Sequence, residues 1–196
     1  MSAPIFGLLL VGGKSERMGR DKALLSYGGE RTQLERSASL LSAVCKKTFI
    51  SLRREQHFDL PPGTDVIYDS VDEVAGPLCG ILSAMAAHPE ANWLVVACDL
   101  PKLKKETLQR LVSSYHLHSE NLIAYKSKHG DLPEPLCAIY PSGKGGELLA
   151  LAREIGRFSI RELLIIKKAR LIDQDDPESL ININTNEEYE AILDRQ

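Results

Sequence analysis

The stretch LLLVGGKSERMGRDK, Leu8 to Lys22, decides how the rest of the chain is read. Its apolar start belongs to a run from Ile5 to Val11 that reads as a buried strand, and Gly12-Gly13 ends that strand in a loop. The glycine pair removes side chains where backbone N–H groups could meet phosphate oxygens closely. Lys14, Arg17, Arg20 and Lys22 add four cations within nine residues, and Gly19 allows a second tight turn. A cation held about 4 Å from a phosphate contributes about 4 kcal/mol at an effective dielectric of about 20, before desolvation costs. This combination predicts an anion-binding loop. It is not a Walker A loop, because G-x-x-x-x-G-K-S would need glycine where Leu8 stands. It is not the G-x-G-x-x-G fingerprint either, because Gly12, Gly13 and Gly19 have the wrong spacing.

Working outward, strands and helices alternate. Thr32 and Glu35 have capping-box spacing at the start of a helix predicted over Gln33–Val44. Phe49–Leu52 and Asp65–Tyr68 read as strands, the second ending at Asp69. Gly76-Pro77 opens a helix to Ala87, with proline in the first turn, where its missing N–H costs nothing. Trp93–Ala97 is the clearest buried strand and runs into Cys98-Asp99. Lys104–Tyr115 is amphipathic. This order predicts an α/β fold: three α/β/α layers, Rossmann-like, around a mostly parallel sheet. Beyond Leu122 the pattern loosens. Strands are expected near Asn121–Tyr125 and Leu136–Tyr140, flanking a polar loop from Lys126 to Pro135. Helices follow at Lys144–Arg153 and after Ser159, whose spacing to Glu162 again suits a capping box. A strand at Ala169–Ile172, an acidic turn at Asp173–Glu178, the segment Ile181–Ile183 and a helix from Asn186 close the chain. Without repeat or linker, residues 1–196 are expected to form one domain.

Composition excludes several classes. A net charge of −3 argues against a general nucleic-acid or membrane-surface binder, since either needs a basic excess. No stretch approaches the roughly 20 apolar residues of a membrane span. The first residues lack the basic start of a signal peptide, so a cytoplasmic protein is expected. Cys45, Cys79, Cys98 and Cys137 are widely spaced in apolar contexts and read as buried thiols in a reducing compartment. His116 and His118 alternate, but no other His or Cys lies nearby to complete a zinc site.

The segment G-G-x-x-x-R-M-G-x-D-K, Gly12 to Lys22, resembles the signature of the molybdenum cofactor guanylyltransferase family, within the α/β nucleotidyltransferases. Sugar nucleotidyltransferases have a related loop that usually ends in proline-lysine. Relatives that transfer CMP to the same pterin tend to have alanine-glycine where this chain has Gly12-Gly13. The resemblance therefore implies guanine. D-x-P-x-L at Asp99–Leu103 resembles the family's metal-binding segment. G-P-L-x-G at Gly76–Gly80 resembles a piece of its nucleotide pocket, and NINTNEE at Asn182–Glu188 its N-x-N-T-P-E-E, with Asn186 in place of proline. Gly80 would let the helix pack closely.

The resemblance implies transfer of GMP from Mg²⁺-GTP to the phosphate of molybdopterin or Mo-molybdopterin, with a molybdoenzyme or cofactor chaperone downstream. It implies Lys22, Arg17 and Asp99 as catalytic residues. Leu10, Val11, Gly12, Gly13, Lys22, Asp69 and Asp99 would bind the nucleotide. Mg²⁺ would rest on Asp99 and Asn182, with Asn184 the alternative to Asn182. Glu134 and Pro135 would line the pterin side, and Arg157 and Arg161 would supply cations for its phosphate. Three alternatives stand beside this reading: CMP transfer to the same pterin, nucleotidyl transfer to a sugar phosphate, and a non-catalytic protein that kept the pocket.

Overall fold

The computed structural model describes residues 3–11, 22–117, 121–128, 130–156, 158–183 and 185–193. Its strands are β1 (Ile5–Leu10), β2 (Lys47–Leu52), β3 (Thr64–Tyr68), β4 (Asn92–Ala97), β5 (Ile123–Lys126), β6 (Pro133–Tyr140) and β7 (Arg170–Ile172). They form one sheet in the order β3-β2-β1-β4-β6-β5-β7. β3, β2, β1 and β4 pair in parallel. β6 is antiparallel to β4 and β5, and β7 is parallel to β5. Only β6 is reversed, so the sheet is mostly parallel, as the alternation of elements predicts.

The three layers follow from the two-residue period of the strands. Phe6, Leu8, Leu10, Trp93 and Val95 face one core with Leu78, Leu82, Met85, Leu148 and Leu163. These last five lie on helices α2 (Pro77–Ala87), α4 (Gly145–Ile155) and α5 (Ile160–Ile166). Ile5, Leu9, Leu94 and Val96 face the opposite core with Leu34, Leu41, Leu108, Leu111 and Tyr115. Those five belong to α1 (Gln33–Ser42) and α3 (Lys105–His116). Central strands covered on both faces must be apolar throughout, which is why β1 and β4 are buried at every position.

Local signals set the helix ends. Thr32 Oγ1 accepts the Glu35 N–H at 3.2 Å, and Glu35 Oε2 accepts the Thr32 N–H at 2.7 Å, completing a capping box. Ser159 caps α5 through the Glu162 N–H. Gly76, the N-cap of α2, has φ 71°, which only glycine adopts without strain. Gly80 lets α2 lie directly on the sheet. A Cβ there would collide with Ser51 Oγ and come within 3.0 Å of Leu10 Cδ2.

The expected polar loop from Lys126 to Pro135 is shorter than its composition suggests. β5 runs to Lys126 and β6 begins at Pro133, with Lys126 opposite Pro133 and Tyr125 opposite Glu134. A register shift between Ala124 and Tyr125 breaks the alternation there, and Pro133 is tolerated as the first residue of its strand. The acidic turn is also resolved. Lys102 and Lys128 reach Glu178 at 3.0 Å, Lys104 reaches Asp176 at 2.7 Å and Lys126 reaches Asp173 at 2.9 Å. These exposed pairs contribute little individually but hold the turn beside the start of α3. Among the described residues, no helix is long and apolar enough to cross a membrane. Cys79, Cys98 and Cys137 are buried free thiols, whereas Cys45 is partly exposed. His116 closes α3, and His118 lies outside the described residues.

Candidate active site at the carboxyl edge of the sheet

In open α/β sheets the ligand crevice lies beyond the carboxyl ends of the parallel strands. Here that edge collects Val11 after β1, Asp69 after β3 and Asp99 after β4. Reversal of β6 brings its first residues, Pro133 to Pro135, to the same edge. The carbonyl of Leu10 accepts the Cys98 N–H at 3.1 Å, and the Val11 N–H donates to Ser51 at 3.4 Å. The exit of β1 is thereby tied to both of its neighbours.

Asp99 is half-buried in the turn after β4. Its carbonyl accepts the Ile183 N–H at 3.1 Å, which draws the segment containing exposed Asn182 against that turn. Residues 84 apart in sequence, counting 183 minus 99, are thus neighbours. Asn182 also lines a cavity of about 80 Å³ with Leu100, Glu134, Pro135 and Arg161. Arg161 Nε donates to the Pro133 carbonyl at 3.1 Å, and its guanidinium stands 3.8 Å from Glu134. Asp99, Asn182, Glu134, Pro135 and Arg161 are therefore assembled in one region.

Asp69 sits three strands from Asp99, or about 14 Å at the usual interstrand spacing. Its N–H donates to Leu52 at 3.0 Å. Burial pushes its carboxyl above the usual range, against the opposing effects of Arg53 and the Cys79 thiol. Leu10 and Val11 have buried side chains that belong to the core, so only their backbone is available to a ligand. Lys22 opens a 3-10 turn, Lys22–Leu24, and Ala23 packs into the same core as Cys98, Leu100 and Leu103. Gly12, Gly13, Arg17, Arg157 and Asn184 lie outside the described residues.

Four residues escaped the sequence reading. Tyr27 stacks edge-on against Tyr189, with ring centroids 5.0 Å apart, and Tyr189 donates its hydroxyl to the Ser26 carbonyl at 2.8 Å. Burial pushes the Tyr27 phenol up to about 12, with smaller contributions from the neighbouring Cys98, Tyr189 and Asp99. Gln33 and Arg36 of α1 reach across to the turn after Asp99. Gln33 Nε2 donates to the Leu100 carbonyl at 3.2 Å, and Arg36 donates to Leu103 at 2.6 Å. A motif search has no cue for any of the four.

Among the described residues, no three His, Cys, Asp or Glu side chains converge as a metal cluster. The carboxyl edge instead offers the single half-buried carboxylate of Asp99, with Asn182 in the segment bonded to its turn. That suits Mg²⁺, a hard ion that takes one or two carboxylates and completes its shell with phosphate oxygens and water.

Residues 7–170 match the family described as MobA-like NTP transferase domain. The chain is 33% identical over 191 residues to a molybdenum cofactor biosynthesis bifunctional protein of Synechocystis sp., a match covering 96% of this chain. The chain spans 54% of that longer protein. It is 32% identical to a probable molybdenum cofactor guanylyltransferase of Nostoc sp., covering 94% of this chain and 88% of that one. The crystal structure of molybdopterin-guanine dinucleotide biosynthesis protein A from Archaeoglobus fulgidus superimposes with a TM-score of 0.73 at 21% identity, over 97% of each chain, so the fold is shared. Sheet order, the carboxyl-edge site and these matches define an enzyme of the nucleotidyltransferase class. Within that class, the chain belongs to the MobA-like NTP transferase domain family.

Proposed function

We propose that this chain, as a single domain, transfers GMP from Mg²⁺-GTP to the terminal phosphate of molybdopterin or Mo-molybdopterin, forming the guanine dinucleotide and releasing pyrophosphate. One observation supports this most: the Ile183–Asp99 hydrogen bond joins a carboxylate, Asn182 and the Glu134–Arg161 cavity beside the exit of β1. A pterin phosphate oxygen attacks the α-phosphorus in line as the bond to the β-phosphate breaks. The protein contributes position and charge.

In this reading the backbone from Leu10 to Gly13 receives the triphosphate, Lys22 and Arg17 offset its charge, and Asp69 contacts the guanosine end. Asp99 and Asn182 hold Mg²⁺, which supplies charge neutralisation at the phosphates when bound. Glu134, Pro135 and Arg161 receive the acceptor. The relatives' names support guanylyl transfer and the molybdenum cofactor. The protein is proposed to act in the cytoplasm and to pass its product to a molybdoenzyme or its chaperone.

The test is pyrophosphate release with GTP, CTP or UTP, each with molybdopterin or a sugar phosphate. Release only with GTP and molybdopterin supports the proposal. CTP preference, sugar-phosphate turnover or nucleotide binding without turnover replaces it with one of the three alternatives.

A further inference from the structure

Gln33 occupies an unusual position for a polar residue. It is the first residue of α1, and only 1% of its surface is exposed, in a mostly apolar layer that also buries Ser37. Its backbone N–H donates to the Leu25 carbonyl at 2.7 Å, just after the turn that begins at Lys22. Its side-chain amide donates to Leu100, the residue after Asp99, at 3.2 Å, and to Ser37 Oγ at 3.0 Å. One residue therefore grips both segments that carry the proposed chemistry.

The two amide hydrogen bonds tie α1 to the turn after Asp99, yet glutamine is a costly way to make that tie. Among the described residues its Oε1 is buried without a hydrogen-bond partner, a costly arrangement. The Leu100 carbonyl also accepts the Leu103 N–H at 3.2 Å, so it would remain satisfied without Gln33. Methionine would fill the same space with no buried acceptor left over.

We infer that Gln33 is a positioning residue that sets the spacing between the Lys22 turn and the Asp99 turn, and through it the affinity of the site for a divalent ion bound with nucleotide. The inference rests on the proposed metal-nucleotide site. Residues that orient a metal ligand without touching the ion typically change affinity by about 10–100-fold when replaced.

The experiment titrates Mn²⁺ into the full chain with GTP and reads free Mn²⁺ by electron paramagnetic resonance, together with Tm, for wild type and Gln33→Met. The expected result is a Mn²⁺ affinity at least about tenfold weaker in Gln33→Met, with Tm unchanged or raised. Unchanged affinity overturns the inference, and so does a loss that merely follows a fall in Tm. Should Gln33→Met fail to fold, hydrogen exchange of the wild type decides. Adding Mn²⁺ and GTP should protect residues 33–37 together with 22–25 and 98–103. Protection that leaves 33–37 unchanged overturns the inference. Wild type that binds no Mn²⁺ with GTP overturns the proposed function and this inference with it. Intact wild-type binding with an insensitive variant overturns this inference alone.

Discussion

The backbone N–H of Ile183 donates to the carbonyl of Asp99 at 3.1 Å, so the last apolar segment of the chain closes on the turn after β4. Asn182 is carried to the carboxyl edge by that bond. A carboxylate and an amide from distant parts of the sequence thus become candidate ligands of one ion.

Replacing these two residues should separate their roles. Asp99→Ala should lower turnover by about 10²–10³-fold, the scale for losing a group that stabilises transition-state charge. Asn182→Ala should lower it by about 10–100-fold and be partly restored by excess Mg²⁺. Steady-state rates across a Mg²⁺ titration check both. A near-normal Asp99→Ala enzyme would remove the metal assignment.

Asp69 is held above the usual carboxylate range, mainly by burial. The folded state therefore binds its proton more tightly than the unfolded chain does. This contribution favours folding at low pH, and it is lost as pH rises from the unfolded value through the raised folded one. At neutral pH the ionised carboxyl is a cost, so Asp69→Asn should raise Tm. The same change should weaken GTP binding, a trade of stability against function. Thermal melts at pH 7 with and without GTP test it. A lower Tm with unchanged GTP binding would assign Asp69 to structure instead.

Close packing of α2 on the sheet should show as a coupling between two residues. Gly80→Ala forces a methyl group against Ser51 Oγ and should cost about 1–3 kcal/mol in urea unfolding. Ser51→Ala removes the obstructing oxygen, so the double variant should recover part of that loss. Strict additivity would contradict the contact.

Glu35 is held below its ordinary carboxyl value, first by the Thr32 backbone N–H and then by the Thr32 side chain. Its contribution is complete above the unfolded Glu value and lost as pH falls through the lowered folded one. Thr32→Ala should therefore destabilise the chain, because the helix cap is lost. Denaturant unfolding of Glu35→Gln, which removes the titrating carboxyl, should show less acid sensitivity between these two values. A pH profile unchanged from wild type would argue against the capping box.

Legibility followed locality. β1 and β4 were readable because burial on both faces forces continuous apolar runs, and α1, α2 and α5 because Thr32, Gly76-Pro77 and Ser159 mark their starts. The start of β6 was not, because Pro133, Glu134 and Pro135 look like loop when the register shift opposite them is unseen. The place of Asp99 was legible as the turn that follows a buried strand at the carboxyl edge of the sheet. Gln33, Arg36 and Tyr27 were hidden, because what they do depends on α1 and residues 22–27 lying against the turn after β4. Nothing in their own neighbourhood announces that contact.

In the proposed function, phosphates, lysine and metal meet where β1 and β4 end. A crystal structure of the chain with Mg²⁺ and GTP tests it most directly. The expected result is a magnesium ion about 2.1 Å from the Asp99 carboxylate, with the phosphates over the exit of β1 and the Lys22 ammonium against them. An ion with no ligand from Asp99, or a Lys22 side chain turned to solvent away from the nucleotide, would contradict it.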